Sequence, residues 1–202
     1  LSIYGDLDIS KIDELPPGRV PVETKIIEEK DLSQLFKTVE KEINKGKQAY
    51  VILPLIEESE KLNLNSVNNI YKYLSENIFD KFKLGIMHGK LNSEEKNKII
   101  DLFIKNEINI LVSTTVIEVG IDVPNASIMI IYNSERFGLS QLHQLRGRVG
   151  RDSYKSYCYL VTSENNLSTN KRLEVMENSN DGFYIAEKDL ELRGPGQILG
   201  YK

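Results

Sequence analysis

Short apolar runs rich in β-branched residues alternate with longer amphipathic stretches along this chain, a rhythm that leaves few architectures open. The runs are AYVILPLI (49–56), KLGIMH (83–88), INILVSTT (108–115), ASIMIIYN (126–133) and SYCYLVTS (156–163), and they read as buried strands. Between the first two, residues 66–78 open with Ser66 and place Val67, Ile70, Tyr71, Leu74 and Ile78 at helical spacing. A second helix follows from Ser93, read as a serine N-cap ahead of Glu94 and Glu95, with Ile99, Ile100 and Phe103 as its apolar face. A third helical stretch lies near 140–147. Strand and helix in alternation predict an α/β fold, a doubly wound and mostly parallel sheet. Such sheets hold ligands at the carboxyl ends of their strands, so chemistry is expected in the loops after 56, 88, 113 and 133.

Composition narrows the class. The 202 residues suffice for one domain plus an appendage, and 40% hydrophobic with 28% charged residues is the balance of a globular protein. No apolar run approaches the ~18 residues that cross a bilayer. The start, LSIYGDLDIS, has neither a basic region nor a cleavage-like site, so a cytoplasmic protein with no membrane partner is expected. The single cysteine, Cys158, falls in a strand-like run and reads as an inert core thiol. With His88 and His143 the only histidines and no second cysteine, no zinc-type metal site is expected. A net charge of −4 counts weakly against nucleic acid, unless basic residues are gathered locally.

They are gathered in Gln141-Leu142-His143-Gln144-Leu145-Arg146-Gly147-Arg148-Val149-Gly150-Arg151. Arginine presents a permanently charged, planar fork that matches phosphate oxygens, and glycine lets a backbone come close to them. By itself, however, an R-x-R-x-x-R cluster reads as a solvated basic turn. A second string runs from Ile110 to Pro124, where an apolar strand ends in Ser113 and Thr114 and leads to Gly120 and Asp122. Locally those are a helix cap and a turn former. Met87-His88-Gly89-Lys90-Leu91 and Leu53-Pro54-Leu55-Ile56 are weaker signals, since a lone histidine at a strand end is most often structural.

Taken in order, these strings resemble motifs IV, V and VI of the superfamily 2 helicases. The motif VI resemblance implies that Arg148 and Arg151 are arginine fingers on ATP held by a partner domain, with Gln144 lining the same site and Arg146 orienting its neighbours. Such a finger is worth about 10³–10⁵ in rate. The motif V resemblance implies Thr114, with Ser113 beside it, on the nucleic-acid backbone, and Gly120 and Asp122 near the nucleotide ribose. The His88-Gly89 element is similar to one that tracks the phosphodiester backbone, a contact that positions without reading sequence.

Pro16-Pro17-Gly18-Arg19, the run from Tyr50 to Glu60 and the run from Gly182 to Gly196 narrow the resemblance to the RecG family. The last is similar to the TRG motif, a helical hairpin that couples ATP turnover to DNA translocation, and it implies Glu191, Arg193, Gly194 and Gln197 as coupling residues. Pro195 and the PLIEESE run favour RecG over the related Mfd-like translocases, which stay as one alternative. A non-catalytic nucleic-acid binding module on the same fold is the other. The resemblance implies a linker from a preceding motor domain at 1–19, a RecA-like helicase C-terminal domain at 20–165 and a TRG-type hairpin at 166–202. No P-loop occurs, because Lys45-Gly46-Lys47-Gln48 lacks the first glycine and the final hydroxyl residue. By resemblance, then, ATP and Mg²⁺ are held mainly by a preceding P-loop domain, and this chain alone is inactive. The implied whole is a monomeric, ATP-dependent DNA helicase with a wedge domain, which reverses stalled forks and migrates Holliday junctions.

Overall fold

A computed structural model describes residues 20–56, 59–114, 122–150, 154–164 and 166–193. Six strands form one sheet: β1 (Glu23–Glu28), β2 (Gln48–Leu53), β3 (Leu84–Met87), β4 (Ile110–Thr114), β5 (Ala126–Ile131) and β6 (Tyr157–Thr162). Their order is β1-β6-β5-β2-β4-β3, and every pairing is parallel, so all six start at one end and finish at the other. The helices are α1 (Leu32–Asn44), α2 (Glu60–Tyr73), α3 (Ser93–Ile104), α4 (Leu139–Arg146), α5 (Leu167–Asn178) and α6 (Gly182–Arg193).

The central strands β2, β4 and β5 are buried at every position and mostly apolar because both of their faces are covered. Tyr50 and Ile52 of β2, Leu111 of β4 and Met129 and Ile131 of β5 pack with Phe103 of α3, Leu139 and Leu142 of α4, Leu173 of α5 and Ile185 of α6. Alternate residues Ala49, Val51, Leu53, Val112 and Ile130 face Phe36 and Val39 of α1 and Val67 of α2. Each fully buried chain of leucine size contributes about 1.5–3 kcal/mol, so this two-sided interior is the main source of stability.

Several boundaries differ from the sequence reading, each for a local reason. β2 stops at Leu53 rather than running to 56, since Pro54 has no N–H to offer a neighbouring strand. α2 starts at Glu60, not Ser66, because Ser59 Oγ accepts from Leu62 N at 3.1 Å and caps the helix one and a half turns earlier. Ser93 is the first residue of α3 and not its cap. The cap is Asn92, whose Oδ1 accepts from Glu95 N at 2.8 Å while Glu95 Oε1 accepts from Asn92 N at 2.9 Å. β1 and α1 have no counterpart in that reading. β1, with sequence ETKIIE, is an edge strand with only Thr24 buried, so it carries too little apolar pattern to stand out.

Candidate functional site

At the carboxyl end of the sheet, the residues after β2, β3 and β4 meet in a cleft of about 60 Å³ lined by Leu55, Glu60, Asn63, Leu64, His88, Gly89, Lys90 and Thr114. Three separated strings thus converge because β4 lies between β2 and β3. Thr114 is the last residue of β4, and its buried Oγ1 has no hydrogen-bond partner among the described residues. An unsatisfied buried hydroxyl is costly, and this one belongs to a residue that lines the cleft. Gly89 is exposed, has no positive φ, and a methyl group built on it would meet nothing within 4 Å. Neither backbone conformation nor internal packing therefore calls for glycine there, whereas close approach of a ligand would. His88 Nδ1 accepts from Lys90 N at 3.1 Å, which puts the neutral ring's proton on Nε2, and burial lowers the histidine pKa and keeps it neutral. Lys90 pairs across the cleft mouth with Glu60 at 3.7 Å, an exposed contact of little energetic weight. Ser113 does not face this cleft. It is fully buried and its hydroxyl donates to the Thr114 carbonyl at 2.8 Å.

The nucleotide candidates lie elsewhere. Asp122 is exposed just ahead of the turn that opens β5, at the amino end of the sheet. Arg148 belongs to the turn after α4, where Gly150 adopts φ +80° and a Cβ added to it would collide with Val22, just ahead of β1. Of the candidates, His88, Gly89 and Thr114 lie at the carboxyl ends of the strands, whereas Asp122 and Arg148 lie at the other end of the sheet. A strand of five or six residues, roughly 15–20 Å, separates the two ends. Gln144 is exposed on α4 and Arg148 is half-buried. Gly120, Arg151, Gly194 and Gln197 lie outside the described residues.

Arg146 fastens the arginine-bearing turn to the domain. It is buried, and its guanidinium donates to Met176 O of α5 at 2.7 Å and to Thr24 Oγ1 of β1 at 3.1 Å. It also lies 2.9 Å from His143 Nδ1. Arginine has only donors, so His143 must accept on Nδ1 and stay neutral. Burial and the adjacent guanidinium both lower its pKa. Burial pushes the Cys158 thiol up to about 12 despite the same guanidinium, so it remains protonated and unreactive.

The other end of α4 is held by the two C-terminal helices. Asp189 of α6, a buried carboxylate, accepts from Leu139 N at 3.4 Å and Ser140 Oγ at 3.3 Å, and so caps the start of α4. Arg193 donates to the same carboxylate at 3.0 Å. Arg172 of α5 donates to the carbonyls of Glu135 and Phe137 at 2.6 and 2.7 Å, gripping the segment that leads into α4. Among the described residues Glu191 makes a surface pair with Lys188 at 3.4 Å. Asn63 and Arg172 stand in no recognisable string, and Lys90 and Asp189, though they fall inside the His88-Gly89 string and the Gly182–Gly196 run, were given no role from sequence. A larger groove of about 500 Å³, lined by Leu32, Phe36 and Tyr73 among others, contains none of the motif residues.

Among the described residues, no helix is long and apolar enough to cross a membrane, and no group of three or more His, Cys, Asp or Glu could hold a metal ion. The model of the helicase conserved C-terminal domain matches residues 30–153. Over its full length the chain is 54% identical to the ATP-dependent DNA helicase RecG of Synechocystis sp. and covers 24% of it. It is 50% identical to the RecG of Thermotoga maritima and 49% identical to that of Bacillus subtilis, covering 26% and 30% of those proteins. The chain therefore spans 24–30% of the length of these curated relatives. A solved structure of RecG bound to a three-way DNA junction superposes on 92% of the chain and is covered to 24%, with a TM-score of 0.77 and 46% identity. Domain 2 of the DEAD-box helicase Mss116p, solved with an RNA duplex, matches 79% of the chain with 61% of its own length, a TM-score of 0.60 and 21% identity. It shares the RecA-like fold.

Proposed function

Because this chain belongs to the helicase conserved C-terminal domain family, and to RecG by identity along its whole length, we propose that it is the second motor domain of an ATP-dependent helicase acting on branched DNA. The observation that carries the reading is the placement of the two candidate groups at opposite ends of one rigid sheet. A cleft with an unsatisfied hydroxyl suits a nucleic-acid backbone, and the turn bearing Arg148 suits a polyphosphate. In this reading Thr114, the Gly89 backbone and Lys90 hold phosphodiester oxygens without reading sequence. Arg148 and Arg151 place positive charge where the transferring phosphoryl group gains negative charge, Gln144 lines the same face, and Asp122 and Gly120 approach the ribose. ATP, when bound, supplies the phosphoryl group whose hydrolysis drives movement. The donor set of this chain fits the nucleotide's phosphates and ribose rather than its Mg²⁺, which belongs with a P-loop domain elsewhere in the protein. Fork reversal and Holliday-junction migration by a cytoplasmic monomer, with a wedge domain engaging the junction and the C-terminal helices coupling hydrolysis to translocation through Glu191, Arg193, Gly194 and Gln197, complete the proposal.

The test uses the complete enzyme. Arg148→Ala or Arg151→Ala should leave binding of a synthetic fork near wild type and lower the kcat of DNA-stimulated ATP hydrolysis by about 10³ or more. Wild-type kcat with weakened fork binding would assign these arginines to the DNA backbone and refute the nucleotide role.

A further inference from the structure

Pro54-Leu55-Ile56 leaves the sheet at the end of β2 and places Leu55 in the lining of the carboxyl-end cleft, yet among the described residues no strand ladder holds it there. Asn63 of α2 does what a neighbouring strand would do. Its Oδ1 accepts from Ile56 N at 2.6 Å and its Nδ2 donates to Ile56 O at 2.8 Å, so one side-chain amide satisfies both polar groups of one backbone residue. Ser59 N also donates to Ile56 O, at 3.2 Å, and Ser59 caps the helix that carries Asn63. The segment is thereby tied to the first turn of a helix rather than left as an irregular loop. The tie holds Leu55 at the lip of the cleft, 42% exposed, with Leu64 beside it and with His88, Gly89 and Lys90 lining the same space. An apolar strip together with polar donors and an unpaired hydroxyl matches a sugar–phosphate strand, with sugar carbons against the leucines and phosphate oxygens toward Thr114 and Lys90.

We infer that Asn63 is a positioning residue for the nucleic-acid strand, clipping the Leu55–Ile56 peptide into the wall of the cleft formed with His88, Gly89 and Thr114. The inference rests on the assignment of that cleft to the nucleic-acid backbone. Its physical content is preorganisation: a wall already ordered before binding spares the complex the entropy of ordering it. Removing the clip should therefore weaken DNA binding while leaving turnover on saturating DNA intact.

The experiment measures DNA-stimulated ATP hydrolysis by the complete enzyme against the concentration of a synthetic three-strand fork, with thermal unfolding recorded for each protein. Asn63→Ala should raise the half-saturating fork concentration by roughly tenfold, the cost of ordering about one backbone residue, with kcat within about twofold of wild type. Asn68→Ala, an exposed change on the same helix, should alter neither quantity. Asn63→Asp keeps the acceptor for Ile56 N but turns a carboxylate toward Ile56 O, so it should weaken fork binding even if Asn63→Ala does not fold. Thr114→Val and Lys90→Ala, measured in parallel, separate the two claims. If they weaken fork binding and the Asn63 variants do not, the positioning role is wrong while the cleft assignment stands. If none of the four has an effect, the cleft assignment itself fails. A fall in kcat and melting temperature with no change in half-saturation would make Asn63 a purely structural clip and overturn the inference.

Discussion

Replacing Arg146 with methionine removes a buried guanidinium and keeps most of its volume. The three groups it serves, Met176 O, His143 Nδ1 and Thr24 Oγ1 at 2.7–3.1 Å, belong to α5, α4 and β1 and are left without their donor. A buried acceptor that loses its partner costs about 1–3 kcal/mol, so three sum to roughly 3–9 kcal/mol. Against this stands relief from burying a cation whose three partners are uncharged, worth several kcal/mol. The balance should leave Arg146→Met destabilised by about 3 kcal/mol. For a chain of this size, at roughly 2–4 °C per kcal/mol, the melting temperature should fall by about 6–12 °C. Arg146→Lys should fare no better, because a single ammonium cannot span three acceptors arranged for a planar fork. Thermal and urea unfolding of the chain, followed by circular dichroism, give both numbers. A methionine variant that melts within about 2 °C of wild type would refute the reasoning, since the three bonds would then contribute nothing beyond the desolvation they offset.

Other outcomes follow from neighbouring geometry. The His143 pKa is lowered in the folded chain by burial and by Arg146, so its contribution to stability is complete above the unfolded value near ~6.5 and is lost as pH falls toward the folded value. Urea midpoints should accordingly drop as pH falls below about 6.5, and His143→Gln, which keeps an acceptor but does not titrate, should flatten that part of the slope; an unchanged slope would argue against it. Gly150→Ala should destabilise by about 2–4 kcal/mol, from a positive φ and a methyl driven into Val22. The double change with Val22→Ala should recover the steric part, and a stable single variant would contradict the packing. Arg193→Ala in the complete enzyme should preserve fork binding and much of the DNA-stimulated ATP hydrolysis while abolishing fork unwinding. Unwinding at the wild-type rate per ATP consumed would reduce Arg193 to a helix-end partner of Asp189.

Four of the five apolar runs were legible as strands because a strand buried on both faces must be largely apolar at successive positions, a demand written locally in the residues themselves, while the fifth, β3, is an edge strand buried at alternate positions. The same holds for the motif strings, whose glycines, hydroxyls and arginines sit where a strand gives way to a loop or a helix gives way to a turn. Local signals also misled where two caps competed: Asn92 outbids Ser93 because Glu95 can close the reciprocal bond only with Asn92. β1 escaped notice because an edge strand is stabilised by its neighbour and by Glu177, which accepts from Ile26 N at 2.8 Å across a separation of 151 residues. Which candidates share a site was decided by strand order alone. β4 inserted between β2 and β3 brings residues 55, 88 and 114 together, whereas the return of the chain to start β5 and β6 leaves Asp122 and Arg148 at the other end of the sheet. The residues that hold these sites in shape, Asn63, Arg146, Arg172 and Asp189, are polar groups whose meaning lies wholly in their partners. Asp189 caps a helix that begins 50 residues earlier, and Arg146 donates to a threonine 122 residues away. A side chain's donors and acceptors are fixed by its identity, but the groups that satisfy them exist only once burial has removed water as the alternative.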